Sequence, residues 1–157
     1  MAAWPTFREV APRDFDLLIA FMRELYTQVI MDHYQRPRNR GELEDCDLEE
    51  HLLNPLCGDE VTVYANFRDG KVADVKFGGR GCSISQASAS MMTERLVDKS
   101  REEAEAEISR FKAMMVGEEE FPETEDLAAL KGVIQYPSRV RCATLPWTAF
   151  QNGLGGG

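Results

Sequence analysis

Apolar residues recur every three or four positions near the start of the chain, at Leu18, Phe21, Leu25 and Val29. This spacing predicts an amphipathic helix with a broad apolar face. Asp14 or Asp16 can cap its first turn, and the helix is expected to run to about Gln35. Pro37 then ends it, because proline cannot continue a helix. Residues 1–12, which include two prolines, are expected to form an irregular arm.

Strict alternation of apolar and polar residues further along the chain predicts a β-hairpin. Residues 60–67 alternate, residues 72–78 alternate again, and Asp69-Gly70 between them is a signal for a tight hairpin turn. Antiparallel pairing returns the end of the second strand to the start of the first. The acidic residues 42–50, which precede the hairpin, are expected to form a loop.

Helical patterns dominate the second half of the chain. Small residues crowd a predicted helix over 83–98, and Ser100 with Glu103 forms a capping box that begins another. A terminal helix is expected to begin within 138–142, because Pro146 would otherwise clash with the carbonyl of the residue four positions earlier. That start would place Cys142 in the first helical turn.

Together these elements predict an α+β fold, in which a small antiparallel sheet of about three strands is packed on one face by about five helices. The chain has 157 residues, of which 43% are hydrophobic, so one domain spanning 1–157 with one core is expected. Residues 117–131 form an acidic insertion, which is interpreted as a solvated loop or as a docking surface for a partner. The glycine-rich residues 151–157 are expected to be a flexible tail.

The formal net charge of −9 argues against nucleic acid or an anionic membrane as the main partner, since both bind clustered Lys and Arg. The longest apolar run near the start is too short to span a bilayer, and acidic residues flank it where a signal peptide carries positive charge. A cytoplasmic protein is therefore expected. In a reducing compartment its four cysteines are better explained as ligands or nucleophiles than as disulfides.

Three cysteines and one carboxylate are predicted to converge on one end of the hairpin. Cys57 and Asp59 flank Gly58 just before the first strand, and the second strand delivers Cys82 to the same end, at a helix N-terminus that favours the thiolate. With Cys142 they supply four donors, as a tetrahedral zinc ion or a small iron–sulfur cluster requires. A carboxylate among thiolates suggests a site that exchanges a ligand.

Three arginines close to these cysteines in the sequence can offset the negative charge of such a site: Arg80, Arg139 and Arg141. Cys46 lies among acidic residues that disfavour a thiolate, so it is interpreted as incidental. His33 is expected to be a partly exposed helical histidine, and His51 a surface histidine rather than an outer-shell group of the site.

Four segments resemble the U-type iron–sulfur assembly proteins, which share an IscU/NifU N-terminal-like fold, and most closely the SufU branch. They are LYTQVIMDHY at 25–34 with PRN at 37–39, NPLCGD at 54–59, GRGCSIS at 79–85 and SRVRCATL at 138–145. Two departures from IscU-type scaffolds match the SufU branch: Arg141 stands where those scaffolds usually have histidine, and the acidic insertion lengthens the segment before the last cysteine.

The resemblance implies a SufE/NifU-like fold and a zinc protein that accepts persulfide sulfur from a SufS-type, pyridoxal-phosphate-dependent cysteine desulfurase. It implies downstream iron–sulfur assembly proteins as further partners. By position, Cys57, Asp59, Cys82 and Cys142 would bind zinc. Cys57 would also accept the sulfur, and Arg139 would be an auxiliary residue of the site.

Two other functions remain open at this point. The same four residues could assemble a [2Fe–2S] cluster, or they could hold zinc in an interaction module that has no chemistry of its own. A cluster absorbs visible light and zinc thiolates do not, so colour separates the first alternative from zinc-bound sulfur transfer. Turnover with a desulfurase separates sulfur transfer from the interaction module.

Overall fold

The computed structural model describes residues 12–56, 58–121 and 125–156. Its elements, in chain order, are α1 (Pro12–Gln35), β1 (Leu48–Asn54), β2 (Asp59–Arg68), β3 (Lys71–Arg80), α2 (Ser83–Leu96), α3 (Arg101–Met115), a 3₁₀ helix (Asp126–Val133) and α4 (Pro137–Gly156). The predicted α+β fold, with a three-stranded antiparallel sheet and five helices, is confirmed. The expected N-terminal arm lies outside the described residues, apart from Pro12, which begins α1.

The predicted hairpin forms the centre and one edge of the sheet. The strands pair in the order β1-β2-β3, and the β2–β3 turn has positive φ angles at both Asp69 (54°) and Gly70 (77°). Positive φ at both central residues is what the common two-residue hairpin turn requires. The Asp-Gly signal was therefore sufficient to fix this turn.

The first strand corrects the expectation of an acidic loop over 42–50. Residues 48–54 pair with β2 instead, with Leu48 opposite Ala65 and Asn54 opposite Asp59. Leu48 and Asn54 are buried at the two ends of the strand, whereas Glu49 and other residues between them face outward. Because an edge strand exposes one face and one edge to water, it tolerates charged residues.

The core lies between the sheet and the helices α2 and α4. Four consecutive small residues of α2 are buried, Ala87 to Ser90, and they allow α4 to approach closely. The Ser88 hydroxyl donates to the Ala143 carbonyl of α4 at 2.5 Å and accepts from the Trp147 indole at 2.9 Å. On its other side, Trp147 stacks on Phe111 of α3 with ring centroids 4.2 Å apart. These contacts hold three helices in fixed positions above the strands.

The C-terminal helix differs from the prediction at both ends. It begins at Pro137 and contains Pro146 in its interior, so the local clash of proline does not decide where it starts. It also continues through residues 151–156, which were expected to be a flexible tail. Leu154 is buried there, and its carbonyl accepts a hydrogen bond from Arg101 of α3 at 3.3 Å, so packing holds the glycine-rich end in place.

Only part of the acidic insertion packs against the domain: residues 117–120 are exposed, whereas Phe121 and most of the 3₁₀ helix are buried. Phe121 is buried, and the guanidinium groups of Arg95 and Arg110 lie 5.2 and 4.1 Å from its ring centroid. Glu125 accepts a hydrogen bond from Arg95 at 2.9 Å, and the apolar side of the following 3₁₀ helix enters the core. Residues 122–124 lie outside the described part of the chain. Among the helices that the structure describes, none combines the length and apolar character needed to cross a bilayer.

Candidate metal centre

The strand register brings several chain segments to one end of the sheet. Asn54 at the end of β1 pairs with Asp59 at the start of β2, and Glu60 pairs with Arg80 at the end of β3. The chain needs only Gly81 to pass from Arg80 to Cys82, the N-cap of α2. This end of the sheet therefore carries both Asp59 and Cys82.

Three of the four predicted donors lie together in the structure. The carboxylate of Asp59 and the Sγ atoms of Cys82 and Cys142 are all within 4.8 Å of one another. Asp59 is 1% exposed and Cys142 is fully buried, whereas Cys82 is half-buried. Two of the three donors, Asp59 and Cys142, are therefore shielded from solvent, and Cys82 is partly exposed. Their assignment as metal ligands stays a prediction.

Asp59 is held by the turn between β3 and α2. The backbone N–H of Cys82 donates to Asp59 Oδ1 at 2.9 Å, and the Cys82 thiol lies 3.7 Å from Oδ2. Gly81 leaves room for this arrangement, since a Cβ there would lie 2.5 Å from Asp59 Oδ1 and 2.6 Å from Ser85 Oγ. Gly81 is therefore required, because a side chain at this position would collide with Asp59 and Ser85. This role was not predicted from the sequence.

Cys142 reaches the cluster from the second turn of α4, not from the first turn as predicted, because α4 begins at Pro137. The effect of a helix N-terminus falls off within the first turn, so the predicted contribution of the helix start does not apply to Cys142. The amide of Asn54, which is itself buried, is directed at Cys142 Sγ from 3.9 Å. Asn54 is a contributor that sequence reasoning missed, since its side-chain amide acts across 88 positions.

Arg139 is the arginine that interacts with the thiols of Cys82 and Cys142. The thiol of Cys82, and after it that of Cys142, raises the pKa of the Arg139 guanidinium above its ordinary value through charge attraction and hydrogen bonding. Arg80 instead pairs with Glu60 at 3.4 Å and is largely exposed. Arg141 is exposed beside Asn54 in a separate shallow groove. Of the three predicted arginines, Arg139 is placed to offset negative charge at the cluster.

Cys57, the fourth predicted donor and the predicted sulfur acceptor, lies outside the described residues. The structure does describe the residues on either side of it. Asn54 accepts from the Gly58 N–H through its carbonyl at 2.9 Å and from the Leu56 N–H through its side chain at 3.3 Å. Gly58 has a φ of 71°, and Leu56 is 71% exposed. Asn54 therefore hydrogen-bonds to Leu56 and Gly58, and its side-chain amide is directed at Cys142 Sγ.

A groove of about 550 Å³ opens beside the cluster. It is lined by Cys82, Ser83, Ile84, Gly132, Val133, Tyr136, Ser138 and Arg139. Its walls are mixed: Ile84 and Tyr136 supply apolar surface, and Arg139 supplies a cation beside the half-buried Cys82. The groove therefore lies on the Cys82 side of the cluster.

The remaining candidates lie away from this cluster. Cys46 is half-buried in the loop before β1, and His51 is exposed on β1, where its Nδ1 contacts Thr62 Oγ1 at 2.8 Å. His33 differs from the expected partly exposed histidine, because it is 1% exposed and contacts Ser90 and Asp126. Its burial could not be seen from its own helix, since both contacts come from distant parts of the chain.

The donor chemistry of the cluster fits zinc. Thiolates and carboxylates are both usual zinc ligands, and zinc takes four of them in a tetrahedron. Asp59, Cys82 and Cys142 supply three donors that already lie together, and the sequence places Cys57 two positions before Asp59. Similar cysteine sets also hold iron–sulfur clusters, so donor type alone does not separate the two.

Comparison with known proteins gives consistent matches. The sequence model of the family described as "NifU-like N terminal domain" matches residues 25–143. The chain is 45% identical to the zinc-dependent sulfurtransferase SufU of Bacillus subtilis, over 83% of this chain and 89% of that protein. It is 38% identical to the iron–sulfur cluster assembly scaffold protein IscU of Thermotoga maritima, over 83% of this chain and 92% of that protein.

Among solved structures, the chain is similar to a putative iron–sulfur cluster assembly scaffold protein for the SUF system from Fervidobacterium islandicum. The two superpose with a TM-score of 0.74 at 38% identity, and the match covers 80% of this chain and 93% of that structure. Another similar structure is the N-terminal part of a nitrogen-fixing NifU-like protein from Brucella abortus, with a TM-score of 0.75 at 25% identity, over 83% of this chain and 92% of that structure.

Proposed function

Because the chain belongs to the NifU-like N-terminal domain family, we propose that it serves iron–sulfur cluster assembly as a zinc-bound acceptor of persulfide sulfur. The sulfur donor in this proposal is a pyridoxal-phosphate-dependent cysteine desulfurase of the SufS type. The observation that carries the proposal is the meeting of Asp59, Cys82 and Cys142, with Arg139 beside them, at one end of the sheet. The similarity to a relative named as a zinc-dependent sulfurtransferase supports it.

Asp59, Cys82, Cys142 and, from its position in the sequence, Cys57 would hold the zinc ion. Bound zinc keeps its cysteine ligands deprotonated at neutral pH. Three thiolates and one carboxylate around a dication leave a net charge of about −2. Arg139 lies against two of these thiols and offsets part of that charge.

Cys57 is the proposed acceptor of the sulfur. Its thiolate would attack the outer sulfur of a persulfide on the desulfurase, so that a new S–S bond forms on Cys57. The S–S bond of the donor breaks, and the donor cysteine leaves as a thiolate, so no external oxidant or reductant is needed. The exposure of Leu56 and the positive φ of Gly58, on either side of Cys57, favour this position over the buried Cys142.

A partner has an apolar and cationic surface to approach. Leu53, Leu56 and Tyr136 are large apolar side chains that are each more than half exposed around the cluster. Exposed apolar groups of this kind, next to a groove with a cation, are typical of protein–protein contact surfaces. We therefore place the desulfurase on this end of the domain. Proteins of the downstream assembly steps would then receive the sulfur, in the cytoplasm, where thiols stay reduced.

The test is mass spectrometry of the zinc-loaded chain after incubation with a SufS-type desulfurase and cysteine. We expect one added sulfur on Cys57, its loss in Cys57→Ser, and unchanged labelling in the matched control Cys46→Ser. Sulfur found on Cys82 or Cys142 with Cys57 unmodified would contradict the assignment.

The same preparations test the alternative scaffold function, which the similarity to proteins named as IscU scaffolds favours. Protein purified without added metal is analysed for zinc and iron, and its visible spectrum is recorded. A colourless chain with one zinc ion supports the sulfur acceptor. Visible absorption with stoichiometric iron and sulfide would support assembly of a [2Fe–2S] cluster on the same residues instead.

A further inference from the structure

A second group of metal-ligating side chains lies apart from the thiols, where three helices meet. His33 of α1, Glu94 of α2 and Asp126 at the start of the 3₁₀ helix place their donor atoms within 4.8 Å of one another. We propose that these residues form a second cation site, which takes a divalent first-row transition ion through nitrogen and oxygen donors. This site goes beyond the sulfur chemistry proposed above and does not depend on it.

His33 is oriented for such a role. Its ring is 1% exposed, and Nδ1 lies 2.8 Å from Ser90 Oγ; that hydroxyl oxygen accepts a hydrogen bond from the backbone N–H of Arg38 at 2.8 Å. A histidine that binds a metal through one ring nitrogen usually hydrogen-bonds through the other, which fixes the ring. Ser90 supplies that contact, and Nε2 is left facing the two carboxylates.

The distances require only small movements of the carboxylates. Nε2 lies 2.7 Å from Asp126 Oδ2 and 3.9 Å from Glu94 Oε1. Adjacent ligands on one octahedral ion, each about 2.1 Å from the metal, are about 3.0 Å apart. Asp126 would therefore move outward by about 0.3 Å and Glu94 inward by about 0.9 Å. Their side chains are 54% and 51% exposed, so both can make that adjustment.

The charges at this place also suit a dication. Two carboxylates with a neutral imidazole carry about −2, which one divalent ion balances. Arg38 lies 3.9 Å from Glu94 but makes its short contact, 2.7 Å, with Asp32. Arg95 is held by Glu107 and Glu125 at 2.8 and 2.9 Å. Neither guanidinium therefore takes the position between His33 and the two carboxylates.

Water has access to complete the coordination shell. A cleft of about 240 Å³ is lined by Met91, Glu94, Arg95, Glu125, Asp126 and Leu127. A water molecule occupies about 30 Å³ in the liquid, so several fit. One imidazole, two carboxylates and waters form a ligand set suited to Mn²⁺ or Fe²⁺, whereas thiolates favour zinc. The two donor sets of this chain would thus select different ions.

The test is a titration of the zinc-loaded chain with Mn²⁺, followed by the loss of the electron paramagnetic resonance signal of free Mn²⁺. Mn²⁺ lies below zinc in general affinity and does not displace it from thiolates. We expect one bound Mn²⁺ per chain. Asp126→Asn and Glu94→Gln should each weaken binding by about tenfold to a hundredfold, at least the effect of removing an outer-shell partner.

The controls separate a lost ligand from a damaged fold. Asp126→Asn keeps the size and shape of the side chain and removes its charge, and thermal unfolding checks that both variants remain folded. His51→Gln alters the other histidine of the chain, which is exposed on β1, and should bind Mn²⁺ as the wild type does. Absence of Mn²⁺ binding below about 1 mM, or binding that either carboxylate substitution leaves unchanged, would overturn the proposal.

Discussion

Replacing Gly81 by alanine should disturb the thiol and carboxylate cluster without unfolding the domain. The added Cβ would lie 2.5 Å from Asp59 Oδ1 and 2.6 Å from Ser85 Oγ, whereas ordinary contacts begin at 3.4 Å. Asp59 Oδ1 must therefore retreat by about 0.9 Å, the difference between the two distances. That oxygen is also the acceptor of the Cys82 N–H, so the link between the two residues is strained as well.

The displacement is large on the scale of metal coordination. Metal–ligand distances in well-formed sites hold to within about 0.2 Å, and a misplaced outer-shell partner alone costs about tenfold to a hundredfold in affinity. We expect zinc binding to Gly81→Ala to weaken by about that factor, which corresponds to roughly 1.4–2.8 kcal/mol. The clashing atoms belong to side chains, so we expect the folding free energy to fall by only about 1 kcal/mol.

Two neighbouring glycines provide matched controls. A Cβ at Gly78 would meet nothing within 4 Å, so Gly78→Ala should change neither zinc affinity nor folding. Gly79 has a φ of 120°, and a Cβ there would collide with the backbone carbonyl of Glu60. Gly79→Ala should therefore lower the melting temperature, because backbone atoms of a paired strand cannot move aside.

The assay is competition between each zinc-loaded variant and a chromophoric chelator, with thermal unfolding measured on the same samples. The expected pattern is weakened zinc binding in Gly81→Ala, a lowered melting temperature in Gly79→Ala, and wild-type values in Gly78→Ala. Zinc binding to Gly81→Ala that is as tight as to Gly78→Ala would refute the assignment of Asp59 as a zinc ligand.

Two further predictions concern the metal and the fourth cysteine. Cys46→Ser should keep zinc content and sulfur acceptance, because Cys46 lies outside the described cluster; loss of zinc, measured by elemental analysis, would show that the ligand set is wrong. Removing zinc by chelation should leave the helical circular dichroism signal largely intact, since the core of sheet and helices forms without the metal centre. Complete loss of that signal would show that folding depends on the metal.

Features that depend on neighbouring residues were predictable from the sequence. The alternation in β2 and β3 and the Asp69-Gly70 turn are local, and they were enough to define the hairpin. The predicted capping box of Ser100 and Glu103 is also confirmed, since both of its hydrogen bonds are present. The glycines before Cys82 and the small residues after it predicted that Cys82 stands at the start of a helix. The structure confirms this, since Cys82 is the N-cap of α2.

Features that depend on distant partners were not predictable. His33 is buried by contacts with residues 57 and 93 positions away, which its own helical pattern does not contain. Glu49 and Glu50 suggested a loop, but pairing with β2 makes their segment an edge strand. Pro146 suggested a late helix start, but buried neighbours such as Trp147 hold α4 together across the proline. In each case tertiary packing overrode a local preference.

The 3₁₀ helix connects the two donor sets of this protein. Asp126 begins it and contacts His33, whereas Val133 ends it and lines the groove beside Cys82. A 3₁₀ helix rises about 2.0 Å per residue, so these eight residues span roughly 16 Å. A change at Asp126 can therefore shift the groove wall as well as the second cation site. Glu94 lies on α2 instead, so Glu94→Gln alters the cation site without altering the 3₁₀ helix. An effect on sulfur acceptance in Asp126→Asn that is absent from Glu94→Gln would belong to the groove and not to the bound ion.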